Sequence, residues 1–275
     1  MNSDILKFYL KFDTEGLGDK FVLVSTILNI INDFERDAIV YFIENSTSGA
    51  NIPAMLGISL TNAYLSSFHR PFYDFYEIID FFHFKRPKNK IFTNFCKDQE
   101  FSKNMYHGGG YTIGLKSTPS LNDFLQASNK VWEEGSYWPI DFPIRKKRKN
   151  VCYMLYELGK HPQVDKSLKG ITKDQFRKFK TLTETFPEIT FINLEQRNYL
   201  KNVEILSESH FIFATEGMWT HLSRAMNIHT VAHVVHTKPH GKEIQINKQM
   251  NNQGHYSSFS FDECLEKMKN LCEKI

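Results

Sequence analysis

No run of about eighteen consecutive apolar residues occurs in the chain, so no membrane-spanning helix is expected. The segment Met1–Tyr9 carries acidic Asp4 among apolar residues and lacks a small-residue cleavage site, which argues against a secretory signal. These two absences make the cytoplasm the expected location. Cysteine is scarce, with 4 in 275 residues, and Cys96, Cys152, Cys264 and Cys272 form no Cys-x-x-Cys pair. A cysteine-based zinc module and a disulfide scaffold are thereby disfavoured, leaving reduced structural thiols. Charge of one sign is also lacking. The net value of +3 is too small to require a polyanionic partner. Neither an internal repeat nor a low-complexity tract is found.

What is present suits a globular protein, because a hydrophobic fraction of 41% can fill a sizeable core. Ile5–Phe12 reads as a buried strand, Thr14–Asp19 as a turn, and Phe21–Ile31 as a helix. Ala38–Ile43 is a second strand, followed by a turn-rich Asn45–Asn51 and a helix over Pro53–Leu65. Phe68–Phe84 mixes aromatic and acidic residues and fits helix and strand equally. Lys90–Phe95 reads as a strand, His107–Tyr111 as a loop, and Leu121–Trp132 as a helix. Trp138–Pro143 is punctuated by proline and precedes the basic run Arg145-Lys146-Lys147-Arg148-Lys149, which places a domain boundary there. The expected domains are 1–143 and 144–275.

The second half resumes the alternation. Strands are expected at Val151–Tyr156, Ile189–Leu194, His210–Ala214 and Thr230–Val235. Between them lie helices from Thr172 to Phe186, Tyr199–Ser207 and Met218–Met226. Alternation with short connections predicts an α/β fold with mainly parallel sheets covered on both faces. Phe261, Leu265, Met268 and Leu271 form a helical stripe suited to docking, with reach enough to cross back to the first domain.

Two constellations carry chemistry. Gly16-Leu17-Gly18-Asp19 lies between a strand and a helix, where glycines let backbone N–H groups approach an anion. Phe21 occupies the place of the last glycine of a dinucleotide fingerprint, which disfavours a nicotinamide role. The alternative is a plain turn with Asp19 as a first-turn helix acid. In the second constellation, Phe211–Thr215 is a strand running through Glu216 into a helix at Gly217, with His221 one turn further on. Ligands of parallel sheets bind at the carboxyl ends of strands, and free N–H groups near Gly217 suit a phosphate. The alternative is that Thr215 or Glu216 caps the helix and His221 is a core histidine.

Three weaker features complete the set. Lys160, after Gly159, suits either a donor phosphate or a solvated surface, and Glu195 suits either ribose hydroxyls or a helix cap. The run Arg145–Lys149 is either a solvated linker or an electrostatic track for a phosphate-rich acceptor. His229, His233, His236 and His240 are spaced to stack on a helix, but Thr230–Val235 reads as strand and Pro239 breaks a helix. No metal site is expected there.

Taken together, the two constellations resemble the lipopolysaccharide heptosyltransferase-like group of GT-B glycosyltransferases. In that group Gly-Leu-Gly-Asp follows the first strand, and an Asp-Thr-Gly-x-x-x-His segment leads into Leu-x-x-Ala and a short strand. Gly16-Leu17-Gly18-Asp19 matches the first motif, while Gly217, His221, Leu222 and Ala225 match the second. Thr215 and Glu216 stand where the family has an acid and then a hydroxyl. The resemblance implies two Rossmann-like domains facing a cleft, with the nucleotide diphosphate on the second. It implies Asp19 as general base and metal-independent, inverting transfer from a nucleoside diphosphate sugar, with no other cofactor. The implied acceptor is a lipopolysaccharide-type, lipid-linked saccharide; the compact size and basic run admit a hydroxymethylated DNA base as well. The contrasting expectation is a non-catalytic nucleotide- or nucleic-acid-binding module on the same fold.

Overall fold

A computed structural model describes residues 5–12, 17–43, 74–96, 105–107, 111–115, 118–143, 145–159, 170–194, 199–235, 247–248 and 250–275. The expected helix at Pro53–Leu65 and turn at Asn45–Asn51 lie outside these residues. The fold is α/β. The chain divides into two compact units, Met1–Val131 with Ser136–Asp141, and Trp132–Gly135 with Phe142–Ile275.

The first unit is built on β1 (Leu6–Phe12), β2 (Ala38–Ile43), β3 (Ile91–Cys96), β4 (Met105–His107) and β5 (Tyr111–Leu115), in the order β3-β2-β1-β5-β4. The first three strands are parallel, whereas β5 runs antiparallel to both β1 and β4. The ends of the expected His107–Tyr111 loop belong to these two strands, and residues 108–110 between them lie outside the described residues. Helix α1 (Leu17–Phe34) starts four residues earlier than its periodicity suggests and is buried from Lys20 through Leu28. Glu35 follows at φ 51°, a left-handed turn that ends the helix. The undecided Phe68–Phe84 stretch contains α2 (Phe75–Phe81), whose Asp74 cap accepts a hydrogen bond from the Tyr76 N–H at 2.8 Å. Phe21 of α1 packs against Phe82 and Phe84, so this short helix is held by aromatic burial. Helix α3 (Leu121–Glu134) completes the set.

In the second unit, β6 (Asn150–Met154), β7 (Thr190–Asn193), β8 (Phe211–Thr215), β9 (His229–His233) and β10 (Tyr256–Ser258) form an entirely parallel sheet, ordered β7-β6-β8-β9-β10. Helices described in this unit include α4 (Lys173–Glu184), α5 (Tyr199–Ser207), α6 (Met218–Ala225) and α7 (Phe261–Cys272). Thr172 caps α4 reciprocally with Gln175, which fixes the start of that helix. Side chains alternate along each strand. Val151, Tyr153, Phe211, Phe213 and Val231 therefore share one face with Phe179 of α4 and with Phe261, Cys264, Leu265 and Met268 of α7. The stripe on α7 packs within the second unit, against β9, β10 and α4. On the opposite face α6 packs on β8 and β9, and Ser223 Oγ shares a 2.7 Å hydrogen bond with Thr230 Oγ1.

Near the start of β9 the Thr230 N–H donates to His255 Nδ1 at 3.2 Å, and the His255 ring lies 5.9 Å from that of His229. Burial, then the Arg224 charge and His229, push the His255 imidazole down to about 4. Protonation would cancel the acceptor that Thr230 uses. Because the folded-state value lies below the ordinary 6.5, the unfolded chain binds the extra proton first as pH falls. Stability should therefore be full above about pH 6.5 and decline toward pH 4, by on the order of 2 kcal/mol after discounting for solvent screening. Urea midpoints between pH 7.5 and 4.5 measure this. His255→Gln, which retains an acceptor but cannot charge, should make the profile shallower, with His83, His210, His229 and His233, also lowered by burial, supplying the remaining slope; an identical slope in the variant would assign the loss elsewhere.

Candidate functional site

The second sheet positions the site by its connectivity. The chain leaves β6 for β7 on one side, then returns past β6 to β8 on the other. Strand order consequently reverses between β6 and β8, the place where parallel sheets commonly bind ligands at the carboxyl ends of their strands. Leu155–Gly159 leaves β6 there, with Gly159 at φ 87°, a conformation that favours glycine. From β8 the chain passes through Glu216 and Gly217 into α6.

This turn exposes backbone donors. Gly217 is the N-cap of α6, in an extended conformation with φ 162° and ψ −165°, and no side chain caps it in the usual sense. The N-cap position falls on Gly217 and not on Thr215 or Glu216. The Thr220 hydroxyl donates to the Gly217 carbonyl at 2.6 Å and accepts from the Gly217 N–H at 3.3 Å. The Thr220 and His221 N–H groups also turn back to the Gly217 carbonyl, at 3.1 and 3.4 Å. The N–H groups of Met218 and Trp219 are left without a hydrogen-bond partner among the described residues. Two adjacent free amides at the positive end of a helix form an anion-binding arrangement. A Cβ added at Gly217 meets nothing within 4 Å among the described residues, so the space in front of the turn is open.

The remaining expected residues fall in different places. Thr215 ends β8 and is 5% exposed. Glu216 is half-buried, and its N–H donates to the His233 carbonyl at 3.1 Å, tying the ends of β8 and β9 together. His221 is 2% exposed and packs edge-on against Trp132, with ring centroids 5.4 Å apart. In the first unit, Gly18 and the half-buried Asp19 lie inside the first turn of α1 and not in a preceding loop. An acid there is favoured by the helix dipole. Gly16, Lys160 and Glu195 lie outside the described residues, as do His236 and His240.

The basic run sits at the other edge of the second sheet. It immediately precedes β6, and a five-residue strand rises about 16 Å, so the run is far from the carboxyl ends. Arg145 pairs with Glu204 and, at 3.2 Å, with Glu208; Arg148 pairs with Glu208 at 3.0 Å. Lys147 donates to the Ser209 carbonyl at 2.6 Å, and burial lowers its pKa. Three of the five cations thus fasten the chain to the end of α5. All five cations are exposed.

His233 and Thr220 were not singled out from sequence as donor-site residues. Thr220 acts through a backbone geometry that no spacing rule reveals, and His233 is brought opposite Thr215 only by strand register. No helix among the described residues is long and apolar enough to cross a membrane, and no group of three or more His, Cys, Asp or Glu side chains there is placed to hold a metal ion. The chain matches no protein-family model, and no curated protein matches it.

Proposed function

We propose that the chain is a glycosyltransferase of the GT-B type, moving a sugar from a nucleoside diphosphate sugar to an acceptor hydroxyl. The observation that carries this reading is the pair of free Met218 and Trp219 amides, placed beside the reversal point of a wholly parallel sheet. The motif match at Gly217, His221, Leu222 and Ala225 supports it independently of that geometry. In this reading the donor diphosphate rests on the α6 N-terminus, and the acceptor is held by the first unit. The Asp19 carboxylate takes the acceptor O–H proton as that oxygen bonds to the anomeric carbon. The anomeric C–O bond to the diphosphate breaks on the opposite side, its electron pair leaves with the diphosphate, and the configuration inverts. The helix amides stabilise the charge that gathers on the leaving group. The acceptor is a saccharide of the lipopolysaccharide type or a hydroxymethylated DNA base.

A second reading, a non-catalytic nucleotide-binding module, is favoured by Thr215-Glu216 standing where the family has an acid and a hydroxyl. Thermal-shift screening against nucleotide sugars tests both readings for binding, since a ligand that binds only the folded state raises the melting temperature. Release of free nucleoside diphosphate then separates enzyme from binder.

Gly217→Val is the sharper structural test. The extended φ and the open space before the Cβ let the fold accept valine, but its branches would occupy the place of the phosphate. Losing charge-assisted hydrogen bonds to the amides should weaken nucleoside diphosphate binding by about 10- to 100-fold at unchanged melting temperature. Unchanged affinity in the folded variant would move the donor site elsewhere.

A further inference from the structure

Beyond the phosphate cradle, the carboxyl edge of the second sheet holds two buried polar side chains that the proposed reaction has not used. Thr215 and His233 are paired in register at the ends of adjacent parallel strands, so their side chains leave the sheet on the same face. Each is 5% exposed. The Thr215 hydroxyl makes no hydrogen bond among the described residues, and its oxygen is not one of the enclosed polar atoms left unpaired, so it can reach a ligand. His233 Nδ1 lies 3.4 Å from the Ser258 carbonyl. A carbonyl can only accept, so Nδ1 carries the proton and Nε2 is left with its lone pair. The Phe261 ring closes one side, edge-on at 5.3 Å. Burial lowers the His233 pKa, only partly offset by the Ser258 bond, which keeps the ring neutral.

We propose that His233, with Thr215, reads a hydroxyl group of the donor, His233 Nε2 accepting the hydroxyl hydrogen and Thr215 Oγ1 pairing with the same or the neighbouring hydroxyl. This rests on the donor-site reading above. A neutral imidazole lone pair repels a phosphate oxygen, which has no proton to share at neutral pH, but it matches a sugar hydroxyl. The division of labour follows: helix amides at Met218 and Trp219 take the anion, and the strand-end pair takes the diol. The hydroxyl belongs either to the ribose or to the transferred sugar. His233 is a specificity residue for binding and takes no part in bond making.

Calorimetry with the full chain distinguishes these sources. The probes are the uridine, guanosine, adenosine and cytidine diphosphates, their 2′-deoxy forms, and the corresponding diphosphate-glucose compounds. If the ribose is read, the best-binding diphosphate should bind about tenfold more tightly than its 2′-deoxy form, a preference that His233→Ala abolishes. If the transferred sugar is read, the deoxy form should bind normally, and His233→Ala should instead remove the advantage of the sugar-bearing compound. Thr215→Val, which keeps shape without the hydroxyl, should reduce the same preference and serves where His233→Ala fails to fold. Nucleotide binding with preferences unchanged in both folded variants overturns this inference alone. Absence of nucleotide binding by the wild-type chain overturns the donor-site reading and this inference with it.

Discussion

Asp19→Asn should lower glycosyl transfer by about 10²- to 10⁴-fold, the usual cost of losing a general base, while donor affinity stays near that of the wild type. Asparagine keeps the size and polarity of the side chain but cannot accept the acceptor proton. Structural damage should be slight. Asp19 is half-buried in the first turn of α1, where replacing its charge forfeits a helix-dipole interaction of about 0.3–1 kcal/mol. The rest of that helix is held by its buried apolar residues, including Phe21, Val24, Ile27 and Leu28, which the substitution leaves in place. A stability loss that small cannot account for a rate loss of two or more decades. The donor diphosphate is assigned to the α6 N-terminus in the other unit, so its binding is expected to be independent of Asp19. Turnover, donor affinity and melting temperature measured in parallel separate the cases. Near-normal turnover would remove Asp19 from the chemistry. Lost donor affinity at an intact fold would instead make the start of α1 the phosphate site.

Sequence patterns located most elements whose physics is local. Ala38–Ile43 and Tyr199–Ser207 coincide with β2 and α5, because a compact apolar run and a regular 3.6-residue stripe each allow one reading. Thr172 and Gln175 announce the start of α4 through side-chain chemistry that needs no tertiary partner. Elements that depend on partners were harder to find. Strand β10 is Tyr256-Ser257-Ser258, three residues with no hydrophobic alternation, and it is a strand only because β9 pairs with it. Strand β4 is equally short, and it too is a strand through its partner, the antiparallel β5. Gly18 misleads in a different way: glycine weakens helices and was read as part of a turn, yet the burial of α1 overrides that local preference. The same divide runs through the candidate site. A strand entering a glycine and then a helix is legible in one dimension, so Gly217 could be found. The Thr220 lock and the pairing of Thr215 with His233 belong to hydrogen-bond geometry and register, which one sequence does not display.

Phe213→Ala should cost about 3–5 kcal/mol of folding stability, the range for truncating a fully buried phenylalanine when its surroundings cannot close over the gap. Phe213 is 0% exposed and lies on β8, between β6 and β9 in the second sheet. Its ring stacks on Phe179 of α4 at 5.6 Å and meets Phe261 of α7 at 5.7 Å, so one side chain joins two helices to the sheet. Collapse around the alanine is hindered because both helices are also fixed elsewhere. Phe179 packs against Tyr153 at 4.8 Å, and Lys178 of α4 is paired with Asp262 of α7 at 2.8 Å. A domain whose whole stability is about 5–15 kcal/mol loses much of it in one step. The effect should reach the site, since Phe213 stands two residues before Thr215 on the strand that leads into Glu216, Gly217 and the start of α6. Phe213→Leu retains most of the volume and should cost clearly less, so the pair calibrates how much of the loss is cavity. Urea denaturation of both variants is the measurement, with nucleoside diphosphate affinity taken at low urea. A loss below about 1 kcal/mol for alanine would mean that α4 and α7 close over the gap, and that the strand end is held by contacts other than this aromatic stack.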